Sequence, residues 1–130
     1  MGNRFSKNER LYGLKKIEKL YNEGEALMAY PFRLVLLNTD ENAETEAVRV
    51  MMSVSKKRFK RAVDRNRIKR LMREAYRLNK QELKEYATAS DLHIYIAFQY
   101  IAKEILPFHE VEEKMKKALH KLISHLDKKG

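Results

Sequence analysis

Ten of the eighteen residues from Lys56 to Arg73 are basic: Lys56, Lys57, Arg58, Lys60, Arg61, Arg65, Arg67, Lys69, Arg70 and Arg73, against one acid, Asp64. The whole chain has a formal net charge of +10, so this segment holds nearly all of the excess. At helical spacing its second half sorts into two faces. Ile68, Leu71, Met72, Ala75 and Leu78 fall on one side. Asn66, Lys69, Arg70, Arg73 and Arg77 fall on the other, with Arg65 at the edge and Arg67 away from both. Glu74 is the only acid between Arg65 and Asn79, and it does not interrupt the cationic face. Solvated helix faces normally mix signs, because like charges one turn apart repel. A face this one-sided calls for a partner of opposite charge, and repeated phosphates fit. Arginine forks onto a phosphate where lysine acts as a point charge. Asn66 can donate and accept, so it can bond a nucleic acid or fix a neighbouring side chain.

The order of these residues resembles a known signature. Ser53-Val54-Ser55-Lys56-Lys57, then Arg61-Ala62-Val63, then Arg65-Asn66-Arg67-Ile68-Lys69-Arg70 and Arg73-Glu74 look like the protein component of bacterial ribonuclease P. The likeness extends more weakly from Leu14 to Leu126. It implies an RNA-binding subunit of an endoribonuclease that removes the 5′ leader of precursor tRNA. The RNA-binding residues would be Lys56, Lys57, Arg61, Arg65, Asn66, Arg67, Lys69, Arg70, Arg73 and Arg77. The partners would be ribonuclease P RNA and precursor tRNA. Hydrolysis would belong to the RNA subunit with its Mg2+ ions, leaving the protein alone inactive and in need of no cofactor. The resemblance also implies a two-layer α+β sandwich of order α-β-β-β-α-β-α, like the ribosomal protein S5 domain 2-like fold, with a left-handed βαβ crossover. Periodicity alone could not supply that hand, since right-handed crossovers are the strong default.

Composition agrees with an RNA partner without requiring one. A chain of 130 residues suits one domain spanning 1–130. It lacks cysteine, which removes disulfides and thiolate zinc sites and suits a reducing compartment. No signal-like or membrane-spanning apolar run occurs, so the expected location is the cytoplasm, and no membrane partner is expected. The pI of 9.8 favours nucleic acid over an acidic small-molecule substrate. The basic helix lacks the aromatic and leucine wedge of an interfacial membrane helix. A ribosomal or assembly protein that binds RNA without cleavage, and a DNA-binding module, remain open on composition; the Arg-Asn-Arg signature argues against both.

The elements that position the basic helix follow from patterning. Met1 to Asn8 is polar and reads as a frayed end. Leu11, Leu14, Ile17, Leu20 and Tyr21 recur at threes and fours, predicting a helix over 9–22 that stops at Gly24. Ala26 to Ala29 predicts a short strand ended by Pro31, and 32–37 a second. Asn38 to Glu46 reads as a hairpin loop. Ala47 to Ser55 predicts a strand with Val48, Val50, Met52 and Val54 on one face. The basic helix runs from about Asp64 to Lys80, followed by a helix tail and loop over 81–90. Asp91 to Phe98 predicts the last strand. Pro107 precedes a final helix with a stripe of Val111, Met115, Ala118, Leu119, Leu122, Ile123 and Leu126. Helices are expected on one face of the sheet.

The opposite sheet face is mixed. Arg33, Val35, Met51, Ser53, Ser55 and Lys57, with Tyr21 beside them, could form a cleft for an extended strand, and stacking on Tyr21 would tolerate any base. By their spacing Ile17 and Tyr21 read equally well as core residues; the resemblance places them where the family usually has two aromatics facing that cleft. It also puts a basic residue just after the last strand, where this chain has Phe98-Gln99. His93, His109, His120 and His125 have no metal-site spacing and read as surface or half-buried imidazoles. No nucleophile elbow, P-loop or dinucleotide fingerprint occurs, and the carboxylates are scattered.

Overall fold

The computed structural model describes residues 9–39 and 46–129; the end segment 1–8 and most of the 38–46 loop lie outside the described residues. Eight elements follow in order: α1 (Leu14–Glu23), β1 (Glu25–Ala29), β2 (Phe32–Asn38), β3 (Val48–Val54), α2 (Ala62–Asn79), α3 (Gln81–Ala89), β4 (Ile94–Tyr100) and α4 (Phe108–Lys129). The strands form one sheet ordered β1-β2-β4-β3. β2 pairs antiparallel with β1 and with β4, and β3 pairs parallel with β4. The architecture is the expected α+β sandwich, with four departures from the patterned reading.

The first concerns the connection after β2. β4 inserts between β2 and β3, so the loop joining them is not a hairpin. The parallel pairing makes the α2–α3 segment a crossover. Being central, β4 is buried on both sides: Ile94, Ile96, Phe98 and Tyr100 on one, Tyr95 and Ala97 on the other. A strand buried on both faces does not alternate cleanly, so its bounds are harder to read than those of β3.

The second concerns 81–90, which forms a separate helix instead of a tail and loop. Leu83 and Ala87 of α3 are buried at helical spacing. The helix ends where Asp91 adopts a left-handed φ of 55°. Leu92 N–H then donates to the Ala87 carbonyl at 2.8 Å and turns the chain toward β4.

The third concerns the other sheet face. Phe32, Leu34, Leu36, Val50, Ile96 and Phe98 face α2 and α4, whose Ile68, Met72, Met115 and Leu122 complete the main core. The opposite face is not left bare. α1 lies over it, and Leu20 joins Leu11, Val35, Tyr95 and Ala97 in a second cluster. Leu20 is the one fully buried side chain of α1, and burial of such a leucine is worth about 1.5–3 kcal/mol. Leu14 and Tyr21, expected on the apolar side, are exposed.

α1 also starts later than its periodicity suggests. Leu11 N–H donates to the Val50 carbonyl at 2.8 Å, and Arg10 forms a parallel bridge with Val50, so the chain before α1 runs along the free edge of β3. Gly13, at φ 98°, turns from this extended segment into the helix. The segment is locked by a buried ion pair. Lys80, at the corner between α2 and α3, donates from Nζ to both Glu9 carboxylate oxygens at 2.7 and 2.8 Å. Both side chains are almost wholly buried, and Lys84 adds a second cation 3.5 Å from Glu9. The pair lies beside Tyr76, whose hydroxyl is pushed far above its usual pKa by burial and then by the Glu9 and Glu46 carboxylates.

Two expectations follow. Gly24 closes α1 against β2: a Cβ there would lie 2.4 Å from the Leu20 carbonyl oxygen and 2.8 Å from that of Leu36. Gly24→Ala should cost about 1–3 kcal/mol in urea unfolding, because backbone must move; a neutral result would contradict this packing. Lys80→Met should cost about 3 kcal/mol by leaving the buried Glu9 carboxylate with the more distant Lys84 in place of its closest cation, and Lys80→Met with Glu9→Leu should recover most of it. A single variant as stable as the double would count against the pair.

Candidate nucleic-acid interface

α2 is anchored by Ile68, Met72, Ala75 and Tyr76, all buried. Tyr76 takes the place the pattern gave to Leu78, which is 40% exposed. With that seam fixed, the basic residues project away from the core. Lys56, Lys57, Arg61, Asn66, Arg67 and Arg70 are exposed, and Arg65, Lys69, Arg73 and Arg77 are partly buried. The helix begins at Ala62 with no side-chain cap from Arg61.

The cations are not equivalent. Arg65 turns one guanidinium nitrogen back to the carbonyls of Phe59 and Lys60, at 2.9 and 2.8 Å. It therefore holds the loop entering α2 as well as carrying charge. Phe59 is thereby kept in the main core, near Tyr100. Arg77 forks onto Glu74, Nε to Oε1 at 2.9 Å and Nη2 to Oε2 at 2.7 Å. Glu74 thus caps the far end of the cationic face after all, because one helical turn brings it within reach of Arg77. The hydrogen bond from Arg77 holds the Glu74 carboxyl below the usual range. Arg73 is shifted down as well, for a different reason: burial, and then the charge of Arg10, lower its pKa.

The mixed sheet face divides in two. Val35 is buried beneath α1 and cannot line a cleft, because Leu20 covers it and the α1 terminus at Gly24 comes down beside it. Ile17 and Met51 are half-buried and pack against the same cluster. Toward the strand ends the face opens. Tyr21 is 40% exposed, Arg33 and Ser53 are half-buried, and Ser55 and Lys57 are exposed. Arg33 Nη1 donates to Gln99 Oε1 at 2.9 Å, and Gln99 Nε2 donates to the Tyr21 hydroxyl at 3.1 Å. Tyr21 is thus a wall of an open face, tied by its hydroxyl. Where the family resemblance expects a cation after the last strand, the strand runs on to Tyr100, and Gln99 within it bonds Arg33 on the neighbouring strand.

A sequence profile described as Ribonuclease P matches residues 5–123. The chain belongs to the ribonuclease P protein family. It is 41% identical over 122 residues to the ribonuclease P protein component of Porphyromonas gingivalis, covering 93% of this chain and 88% of that one. It is 33% identical to that of Chlorobium phaeobacteroides, over 92% and 88% of the two chains. Among solved structures, the fold is similar to the RNase P protein of Staphylococcus aureus, with a TM-score of 0.66, 22% identity and 88% and 94% coverage. It is similar also to that of Thermotoga maritima, with a TM-score of 0.66, 24% identity and 87% and 96% coverage.

Two residues near this ribonuclease P interface escaped the patterned reading. Arg10 reaches the basic face only because the segment before α1 pairs with β3. Arg58 belongs to the basic run, but only the fold brings it beside the end of β4, where its Nη1 donates to the Ile101 carbonyl at 2.9 Å. Neither placement has a local signal, since both depend on contacts distant in sequence. Among the described residues no group of three His, Cys, Asp or Glu could hold a metal ion. His120 and His125 lie instead against Glu82 and Glu25, at 3.0 and 3.4 Å. No helix among the described residues is long and apolar enough to cross a membrane.

The Arg77–Glu74 fork generates an expectation of its own. Glu74→Gln should free the Arg77 charge for phosphate, strengthening RNA binding several-fold and steepening the log–log salt slope by up to about one unit. Unchanged affinity and slope would show that Arg77 lies outside the contact.

Proposed function

We propose that this chain is the RNA-binding subunit of a ribonuclease P holoenzyme and that its two surfaces hold two different RNA partners. The α2 face binds the catalytic RNA. The open sheet face beside Tyr21 binds the 5′ leader of precursor tRNA. The observation that carries the reading is the one-sided cationic face of α2, held rigid by the apolar seam opposite it. Lys69, Arg70 and Arg73 can meet phosphates there and release counterions, which makes assembly salt-dependent.

In this reading phosphodiester hydrolysis is the work of the RNA subunit and its Mg2+ ions. The protein contributes charge neutralisation and positioning. Binding through phosphates and stacked bases does not read base edges, so it would accept leaders of many sequences. An enzyme that matures many tRNAs requires that tolerance.

Reconstitution with a ribonuclease P RNA at low magnesium tests the two surfaces separately. Arg70→Ala should weaken assembly with the RNA and shrink its salt slope by about one unit, with the fold intact. Tyr21→Ala should leave assembly unchanged and cost about 1–3 kcal/mol in binding precursor but not mature tRNA. Wild-type assembly by Arg70→Ala would defeat the first assignment. An equal loss on both tRNAs by a well-folded Tyr21→Ala protein would defeat the second. Cleavage by rigorously RNA-free protein would defeat the division of labour.

A further inference from the structure

At the free edge of β3 a groove of about 200 Å³ opens, lined by Arg10, Leu11, Met52 and Arg73 among others, and none of the described residues in its walls is an acid. Its two guanidiniums come from opposite sides, Arg10 from the segment before α1 and Arg73 from α2. Two like charges thus meet across one small space, and the charge of Arg10, after burial, lowers the pKa of Arg73. The main chain adds a donor. The Val50 carbonyl points to this edge, because it accepts the Leu11 N–H at 2.8 Å. Met52 lies two residues further along β3, so strand alternation aims its N–H at the same edge.

A buried pair beside the groove brings these cations together. Neighbours along an extended segment point to opposite sides, and here Glu9 is buried while Arg10 is exposed. Arg73 and Lys80 are seven residues apart, which is two helical turns and therefore one side of α2. Once Glu9 has closed on Lys80, Arg10 has to stand beside Arg73. Holding two guanidiniums together costs energy in the free protein, and an anion placed between them recovers it. Two planar forks and a backbone N–H suit the oxygens of a phosphate. A groove of this size takes one phosphate group and not a run of nucleotides.

We propose that Arg10 and Arg73 clamp one phosphodiester of the catalytic RNA in this groove, and that Glu9 and Lys80 are positioning residues that hold Arg10 in the clamp. The inference rests on the reading of α2 as the face for the catalytic RNA. It extends that interface from the helix to the N-terminal segment at the sheet edge. It also gives an acid a favourable part in binding a polyanion: a count of charges expects loss of Glu9 to strengthen RNA binding, and the clamp expects the reverse.

The test measures assembly of the full chain with a ribonuclease P RNA in the absence of tRNA, then binding of precursor tRNA by the holoenzyme. Arg10→Met and Arg73→Met should each weaken assembly about tenfold or more, as expected for a charge-assisted hydrogen bond. Removing either charge relieves the repulsion, so melting temperatures should hold or rise. The two losses should be less than additive, because both residues hold one phosphate. Together they should lower the log–log salt slope by no more than about one unit. Glu9→Leu with Lys80→Met removes one acid and one base, so net charge is unchanged, and most of the stability returns. This pair should still weaken assembly about threefold or more, and the loss should vanish in an Arg10→Met background. A purely structural role would leave the loss in place there. Wild-type assembly by both Arg variants would overturn the clamp, as would fully additive losses. A defect confined to precursor tRNA would overturn it too, by assigning the groove to the substrate. Wild-type assembly by the Glu9→Leu, Lys80→Met protein would remove the positioning role. Arg70→Ala, on α2 but outside the groove, separates the two levels of failure. Normal assembly by Arg70→Ala defeats the α2 reading itself; weakened assembly by Arg70→Ala with silent Arg10 and Arg73 variants defeats only the clamp.

Discussion

The packing of Ile68, Met72, Ala75 and Tyr76 against the sheet and α4 is the constraint on which the interface depends. Like charges along one helix repel, and a basic helix in isolation would be free to turn, bend or fray. Buried apolar contacts fix its rotation, so the repulsion is carried outward instead of being relieved by movement. The cost of crowding the charges is then recovered when an anionic partner arrives. Stability on one face and affinity on the other are two consequences of the same helical period.

The same helix organises the edge of the sheet. Lys80, one residue past the end of α2, turns inward to Glu9 and ties the N-terminal segment along β3. A buried ion pair contributes little net stability, because desolvating both charges opposes their attraction. It does disfavour any arrangement that separates the partners. Here that specificity sets where the chain enters α1, and it brings Arg10 close to Arg73, whose pKa is lowered by burial and then by the charge of Arg10. The position of α1 in turn decides which part of the mixed sheet face is covered.

A count of positive charges therefore overstates the number of equivalent phosphate contacts. Arg65 spends hydrogen bonds on the loop before α2, and Arg77 is bound to Glu74. Arg67 and Arg70 are exposed on the helix, while Arg33 and Arg58 are oriented by neutral acceptors. Substitutions in the first pair mix electrostatic and structural effects. Substitutions in the others report more directly on an RNA partner.

The sequence by itself determined the α+β class, the basic helix and its two-faced character, the stripe of α4 and the family signature. Each depends on local period or on residue order within one segment. Tertiary structure decided that β4 separates β2 from β3, that α3 is a helix of its own and that α1 covers Val35. It also withdrew Leu78 from the core in favour of Tyr76, engaged Arg77 with Glu74, and brought Arg10 beside Arg73 in one groove. Strand order, the second buried face of β4 and the Glu9–Lys80 pair depend on contacts between residues far apart in the chain. Periodicity records which residues share a face of one element; it carries no record of what that face will meet.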